Sequence, residues 1–293
     1  MSWIEIALSV VPSRAEVVGE LLLRFAPQGL WEAPADRSRR MLRAYVPATT
    51  TGRLIIARLR RAVRASFPDC ALRTRILRGA SWARAWRGQA RTVRVGRLIV
   101  RRARRTSGAP SRRAGVAIHL DAGMAFGSGD HPSTQLCLRA IDWYVRPGST
   151  VIDLGTGSGI LAIAAARLGA RRVVALDSDP IAIEVAKANV RSNRVASVVT
   201  VRRGNSLAGV HAAADVIVAN LTADILPPIA PDVPRRLSPG GRFVASGFGS
   251  ARSPEVEAAF LRAGLTVTSV ERLRGWCAVH GVAARLRGKT LPR

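Results

Sequence analysis

The sequence predicts an α/β protein in which a small amino-terminal α/β unit precedes a larger unit with a mostly parallel sheet and helices on both faces. In the second half of the chain, short and continuously apolar stretches alternate with amphipathic ones. This alternation is typical of buried parallel strands that are joined by helices. The expected strands are 150–154, 173–177, 198–202, 215–219 and 242–246, and the expected helices are Thr134–Tyr144, Ile160–Leu168, Pro180–Ser192 and Val256–Ala263.

The amino-terminal stretch carries its own strand and helix patterns. Trp3–Val10 alternates as a strand does, and apolar residues then recur at helical spacing from about Ser13 to Phe25. Ser13 is followed three residues later by Glu16, which predicts a capping box at the start of this helix. The remaining expected elements are a turn region over 27–36, a strand over Met41–Val46, a helix over Thr51–Ser66 and a half-exposed strand over Val93–Arg101.

A length of 293 residues leaves room for one large domain or for two of ordinary size. We expect a small α/β substrate-recognition unit over residues 1–75 and a large unit over residues 115–293. The residues between them, 76–114, are rich in arginine, and Arg101–Arg113 reads as a loop or linker because it also contains Gly108 and Pro110.

Positive charge is concentrated in one part of the chain. The formal net charge is +27, and residues 51–114 contribute nineteen arginines against a single acid, Asp69. Such a block is the electrostatic signature of a polyanion-binding surface, for which ribosomal RNA is the obvious ligand. The alternative is a solvated surface in an organism whose genome favours arginine codons, since the chain has forty-four arginines and only two lysines. Composition alone leaves both explanations open.

Composition also excludes several classes of protein. No apolar run approaches the ~20 residues that a membrane-spanning helix needs, and the first eleven residues have no basic leader of the kind that begins a signal peptide. Cys70, Cys137 and Cys277 are isolated and lack metal-ligand spacing, so neither a disulfide framework nor a zinc site is expected. A reducing cytoplasm is the simplest compartment for such a chain.

The most informative motif is a glycine-rich turn after the strand 150–154. Asp153 precedes glycines in the spacing G-x-G-x-G rather than the dinucleotide spacing G-x-G-x-x-G, and Asp177 ends the next strand. An acid at position 153 would repel a pyrophosphate but suits a cationic amino group, and Asp177 is placed to bind ribose hydroxyls. S-adenosylmethionine has both groups, so the pattern predicts a methyltransferase. Tight packing between strand and helix is the alternative explanation of the glycines, which are Gly155, Gly157 and Gly159.

Two further segments are expected to reach the same edge of the sheet. Asp121–Thr134 contains Phe126 and Gly127 in a glycine-rich loop, and this loop is expected to fold over the cofactor with the Thr134 hydroxyl at a helix start. His131 in this segment invites a catalytic interpretation, although a structural role is the commoner one for a loop histidine. Asn220 ends the strand 215–219, where its side-chain carbonyl can accept a hydrogen bond from an amine and orient it for methyl transfer.

These segments together resemble the PrmA family, whose members methylate ribosomal protein L11 of the large ribosomal subunit. The matching stretches are Leu120–Leu138, Val151–Ala164, Val218–Leu221 and Gly275–Cys277, and the resemblance covers about residues 115 to 281. It implies a Rossmann-like class I methyltransferase domain with S-adenosylmethionine contacts at Thr134, Gly155, Asp177 and Asn220. It also implies methyl transfer to lysine side chains and to the N-terminal amine of the ribosomal protein.

The amino-terminal part matches the family less well. Its opening Trp3–Ile6 and the paired tryptophans Trp82 and Trp86 are similar, but family members tend to be acidic where this chain is rich in arginine. The alternatives are therefore a methyltransferase of another protein or of ribosomal RNA, and a non-catalytic ribosome- or RNA-binding protein with a vestigial cofactor site. A base substrate is disfavoured because Asn220 is followed by Leu-Thr-Ala and no aromatic residue is there to stack a flipped base.

Overall fold

A computed structural model describes residues 2–26, 30–36, 38–78, 92–101, 115–120 and 129–283 of the chain. Within these ranges the strands form three sheets, of four, three and seven strands. The expected α/β class is therefore confirmed. The predicted loop residues Phe126 and Gly127, the tryptophan pair, and the linker beyond Arg101 lie outside the described ranges.

The amino-terminal unit is an antiparallel sheet with two helices on one face. Its strand order is β2-β3-β1-β4, which together with the order along the chain is the ferredoxin-like βαββαβ arrangement. Large apolar side chains of β1, α1 and α2 are fully buried between the sheet and the helices, among them Ile6, Leu22 and Leu59. The elements are β1 (Ser2–Val10), α1 (Ala15–Phe25), β2 (Leu30–Pro34), β3 (Arg40–Pro47), α2 (Thr50–Ser66) and β4 (Leu72–Arg78).

Two expectations for this unit are corrected. The predicted capping box of Ser13 and Glu16 is wrong, because a 3₁₀ turn over Pro12–Arg14 delays α1 and no side chain caps its first residue. The Glu16 carboxylate instead accepts a hydrogen bond from the backbone N–H of Ala251 at 3.2 Å. The residues expected to form a turn, 27–36, include the strand β2.

A three-stranded sheet follows, built from β5 (Val93–Val95), β6 (Leu98–Arg101) and β7 (Val116–His119). The single strand expected over Val93–Arg101 is wrong, since β5 and β6 form an antiparallel hairpin and β7 joins β6 in parallel. Gly96 turns the hairpin with a φ of +54°. The next residue, Arg97, donates from its guanidinium Nε to the Asp142 carboxylate at 2.7 Å, which fixes the hairpin to the helix that contains Asp142.

The large sheet has the strand order β10-β9-β8-β11-β12-β14-β13. All neighbouring strands are parallel except that β14 runs antiparallel to both β12 and β13. The five predicted strands and four predicted helices are present, whereas the β13–β14 pair was not predicted. The elements are α3 (Pro132–Tyr144), β8 (Thr150–Leu154), α4 (Ile160–Arg167), β9 (Arg172–Asp177), α5 (Pro180–Ser192), β10 (Val199–Arg203), β11 (Ala214–Asn220), α6 (Leu226–Ile229), β12 (Leu237–Gly249), α7 (Ser253–Arg262), β13 (Leu265–Leu273) and β14 (Trp276–Ala283).

The order of the strands locates the site. β8 lies between β9, which follows it in the chain, and β11, so the chain changes direction across the sheet at the β8–β11 boundary. In sheets of this kind, ligands bind beyond the carboxyl ends of the strands at such a reversal. Asp177 and Asn220 are the last residues of β9 and β11, and both therefore lie at this edge.

Helix α1 of the amino-terminal unit is seated on the large sheet near the same edge. The Glu20 carboxylate accepts a hydrogen bond from the N–H of Gly249 at 2.6 Å. A Cβ atom at Gly249 would overlap the Glu16 carboxylate, and one at Gly275 would lie 2.6 Å from Glu16 Oε2. The two units therefore meet through a carboxylate that is closely enclosed by glycines. Among the residues described, no helix is long and apolar enough to cross a membrane.

Candidate active site

The glycine-rich turn between β8 and α4 is left-handed at all three glycines. Gly155, Gly157 and Gly159 have φ angles of +74°, +55° and +81°, a region that residues with a side chain rarely adopt. The N–H groups of Gly155 and Thr156 both donate to the carbonyl of Leu176, at 2.9 and 2.8 Å, and hold the turn against the end of β9. A Cβ atom at Gly155 would overlap Cδ2 of Leu221. The turn therefore brings bare backbone to the edge of the sheet.

Asp177 is tied to this turn by backbone hydrogen bonds. Its Oδ2 accepts from the N–H of Gly157 at 2.8 Å, and its Oδ1 accepts from the N–H of Asp179 at 3.0 Å. Each carboxylate oxygen can accept two hydrogen bonds, so each retains a lone pair beyond these contacts. The side chain is thus oriented by the protein and can still receive the hydroxyl groups of a ligand.

Asp153 lies behind the turn and is completely buried. Its Oδ2 accepts from the Thr156 hydroxyl at 2.6 Å and from the N–H of Ala162 at 3.0 Å, while its Oδ1 is buried without a hydrogen-bond partner among the described residues. Burial raises the pKa of Asp153 to about 7, although the two hydrogen bonds act in the opposite direction. A cation beside Oδ1 would favour the ionised form.

The side chains of Asn220, at the end of β11, and Thr134, in the first turn of α3, are in contact. Asn220 Nδ2 donates to the Thr134 hydroxyl oxygen at 3.3 Å, and both side chains are buried. Asn220 Oδ1 is also buried and has no partner in the described part of the chain. An unsatisfied buried acceptor costs roughly 1–3 kcal/mol, and an N–H donor on a ligand would recover that free energy.

His131 is the N-cap residue of α3. Its Nδ1 accepts from the N–H of Ser133 at 3.3 Å and lies 2.7 Å from the Ser133 hydroxyl oxygen. Burial lowers the pKa of His131 to about 3, so the imidazole is neutral at physiological pH. The structural interpretation of this histidine therefore fits the geometry better than an acid–base role.

A cavity of about 540 Å³ opens at the carboxyl edge of the sheet. Gly155, Gly157, Asp177 and Asn220 line it, together with Asn205. Thr134, Asp153 and Gly159 are not part of the lining but lie behind it. Lining residues that sequence reasoning missed include Ser178, Asp179, Asp224, Ile225, Pro228 and Ile229.

Some of these omissions had a signal in the sequence. Asp179 caps α5 by accepting from the N–H of Ile181 at 2.8 Å, and an acid directly before Pro180 is a recognisable helix start. Asp224 had no local signal. Its carboxylate is held by Arg24 at 3.0 Å and by Arg252 at 2.9 Å, two residues that are distant from it in the chain.

The site fits S-adenosylmethionine in size and in chemistry. A volume of about 540 Å³ lies within the usual ~300–1,000 Å³ of small-molecule sites. Asp177 can accept from ribose hydroxyls, and the bare turn at Gly155 lets a ligand approach the backbone closely. Asp153, buried behind this turn and outside the cavity lining, has a carboxylate oxygen that no described residue satisfies. Across the described ranges, no three histidine, cysteine or acidic side chains are grouped as a metal site.

Comparisons with known proteins agree with this geometry. The model of the family described as ribosomal protein L11 methyltransferase (PrmA) matches residues 3–284. The chain is 38% identical over 318 residues to the ribosomal protein L11 methyltransferase of Pelotomaculum thermopropionicum, covering 98% of this chain and 100% of the relative. It is 39% identical over 307 residues to that of Chloroflexus aurantiacus, covering 90% and 93%.

A solved structure is similar as well. The crystal structure of ribosomal protein L11 methylase from Lactobacillus delbrueckii subsp. bulgaricus matches with a TM-score of 0.59 and 31% sequence identity. The match covers 65% of this chain and 97% of that one.

Proposed function

This chain belongs to the ribosomal protein L11 methyltransferase family, and we propose on that basis that it transfers methyl groups from S-adenosylmethionine to amino groups of ribosomal protein L11. The proposed acceptors are lysine side chains and the N-terminal amine. The observation that carries the proposal is the unsatisfied Oδ1 of Asn220, an acceptor at the wall of the same cavity that Asp177 and the glycine turn line.

Each residue of the site has a proposed role in holding the cofactor. Asp177 receives the ribose hydroxyls, and Asp153 together with the turn Gly155–Gly159 holds the amino-acid end. Thr134 contacts the cofactor at the start of α3. Phe126 and Gly127, which lie outside the described residues, are proposed to cover it. When bound, S-adenosylmethionine supplies a methyl group that a neutral amine accepts by in-line displacement.

Asn220 is the proposed catalytic residue. Its Oδ1 accepts a hydrogen bond from the substrate amine and so directs the nitrogen lone pair away from the amide. A lysine substrate must first lose a proton, because the reference pKa of its side chain is ~10.4. Exclusion of water from the cavity favours the neutral amine, and the proton passes to solvent.

The test is transfer of labelled methyl groups from S-adenosylmethionine to methylation-deficient ribosomes and to free ribosomal proteins, with and without ribonuclease. Label on L11 that persists after ribonuclease and is lost in Asp177→Ala and Asn220→Ala supports the proposal. Asp232→Ala is a matched control, because this acid does not line the cavity. Label on another protein or in RNA would show that this molecule, and not L11, is the substrate. Cofactor binding without any label would favour a non-catalytic binding protein.

We further propose that the amino-terminal unit recognises the substrate and that its basic surface contacts ribosomal RNA. Helix α2 and the edge strand β4 form this surface, and Arg60 joins them by donating to the Thr74 hydroxyl at 2.9 Å. On this surface Arg75 forms an ion pair with Glu5 at 3.2 Å. The exposed arginines of α2 and β4 are Arg53, Arg58, Arg60, Arg61, Arg64, Arg73, Arg75 and Arg78.

Salt dependence of ribosome binding tests the RNA contact. If α2 neutralises phosphates, the triple variant Arg58→Gln, Arg61→Gln and Arg64→Gln should make the negative slope of log affinity against log salt less steep by about 2. The variant Arg171→Gln with Arg172→Gln changes two exposed arginines of the large unit and is a control that should leave the slope unchanged. An unchanged slope in the α2 variant would favour the explanation by codon usage. A ribosomal substrate also implies a cytoplasmic location for the chain.

A further inference from the structure

The resemblance motif Gly275–Cys277 contains a tryptophan with no role in the proposed mechanism. Trp276 is fully buried at the start of β14, and its ring lies edge-on to that of His131 with centroids 4.4 Å apart. Helix α1 lies against the same indole, because a Cβ atom at Gly19 would be 3.3 Å from its Cζ2. The indole is therefore held between the amino-terminal unit and the N-cap residue of α3.

His131 is in turn the residue that sets the start of α3. Its Nδ1 caps the helix through Ser133, and Pro132 occupies the first helical position, where its fixed φ is already helical. The cap needs the Nδ1 lone pair, which a neutral imidazole retains in its Nε2–H tautomer. The very low pKa of this buried ring keeps it neutral at physiological pH.

Thr134 is the third residue of the helix that His131 caps. Its hydroxyl oxygen accepts from Asn220 Nδ2, so the donor end of the amide faces the helix and the carbonyl oxygen is the end left for a substrate. Rotation of the Asn220 amide by 180° would direct its N–H groups, which are donors, to the position where an amine substrate needs an acceptor. The start of α3 thus decides which atom of Asn220 is available.

We infer that His131, seated against Trp276, is a positioning residue that fixes the start of α3 and, through Thr134, the amide orientation of Asn220. His131 acts without touching the substrate or the cofactor. The catalytic consequence rests on the proposed function, in which Asn220 orients the amine, whereas the positioning of the amide does not depend on it.

The first test is kinetic. In His131→Ala, kcat for methyl transfer should fall about tenfold while the dissociation constant of S-adenosylhomocysteine rises less than about threefold, because the amide is misplaced and only the cofactor contact at Thr134 is disturbed. His131→Asn should recover most of kcat, since asparagine is a strong N-cap, and its pH profile should parallel that of the wild type. Thr49→Ala removes the cap of α2, far from the cavity, and should lower the melting temperature without changing kcat.

The second test reports the amide directly. The side-chain ¹⁵N–¹H₂ resonances of Asn220, assigned with Asn220→Ala, should shift in His131→Ala and return in His131→Asn. Trp276→Phe should shift them in the same direction, which keeps the test valid if His131→Ala does not fold. Unchanged resonances and unchanged kcat in His131→Ala would overturn the inference, and so would a His131→Asn enzyme whose kcat stays as low as that of His131→Ala. Absence of methyl transfer by the wild type would contradict only the proposed function, because the resonances still report the amide.

Discussion

The buried carboxyl of Asp153 makes cofactor affinity depend on pH in a predictable direction. Its pKa of about 7 means that the carboxyl is largely protonated at pH 5.5 and largely ionised at pH 7.5. A ligand with a cationic amino group beside Oδ1 binds the ionised form, so binding below the pKa must release a proton. The apparent affinity should then fall as the ionised fraction falls.

The magnitude follows from that fraction. Between pH 7.5 and pH 5.5 the dissociation constant of S-adenosylhomocysteine should rise about 25-fold in the wild type. In Asp153→Asn it should be weaker at pH 7.5 and nearly constant over the same range, because no carboxyl titrates. Asp232→Asn, which removes a partly exposed acid outside the glycine turn and the cavity, should keep the wild-type dependence.

Titration calorimetry in buffers of different ionisation enthalpy measures both the affinity and the released proton. Release of nearly one proton at pH 5.5, absent in Asp153→Asn, is the expected result. A flat affinity in the wild type, or an equal pH dependence in Asp153→Asn, would refute the assignment of this carboxyl to the cofactor's amino group.

The same shift predicts the stability of the unliganded protein. The folded-state pKa of Asp153 lies above its reference value of 3.8. The protein should therefore lose stability as pH rises from about 4 to about 7, because the native state then holds a buried charge. The ceiling is about 4 kcal/mol for a rise of roughly three pKa units. Chemical denaturation at pH 5 and pH 8 should show Asp153→Asn gaining relative to the wild type at the higher pH, and no relative gain would contradict the burial argument.

Three further predictions concern the turn, the contact between the units and the small core. Gly155→Ala should weaken S-adenosylhomocysteine binding more than tenfold by calorimetry, because its Cβ would displace Leu221, whereas Gly240→Ala, which has a similar φ of +76° and open space, should cost only about 1 kcal/mol of stability. A double-mutant cycle of Arg24→Ala and Asp224→Ala should give a coupling of about 0.5 kcal/mol that vanishes at 1 M salt, because both groups are half exposed; a larger, salt-independent coupling would contradict this. Leu59→Ala should destabilise the amino-terminal unit by about 2–5 kcal/mol without changing cofactor affinity, and a parallel loss of cofactor binding would show that the two units do not unfold separately.

Elements whose pattern is local were predictable. Helix α5 runs from Pro180 to Ser192 as expected, because its cap, its first proline and its apolar spacing all lie within the segment. Strand β8 was equally clear from its buried apolar residues before the glycine-rich turn. The position of the glycine turn, Asp177 and Asn220 at the carboxyl edge of the sheet was predictable for the same reason, since each lies at the end of a strand that the sequence marks.

Features that depend on distant partners were not predictable. Glu16 matched a capping pattern, but the backbone of Ala251 in the other unit binds it instead. The antiparallel strands β13 and β14 join the sheet because β14 pairs with the edge of β12. No local sequence period encodes that pairing. Asp224 belongs to the cavity wall through its contacts with Arg24, and those contacts exist only after α1 is seated on the large sheet.

The enclosure of Glu16 by Gly249 and Gly275 has a consequence for how such a sequence can diverge. A side chain gained at either glycine would meet the Glu16 carboxylate, so that step is accessible only after position 16 has become shorter. Conversely, a shorter residue at position 16 would leave the N–H of Ala251 without its acceptor. The three positions should therefore change together along a lineage, and grafting the amino-terminal unit of one relative onto the large unit of another should succeed only where all three match.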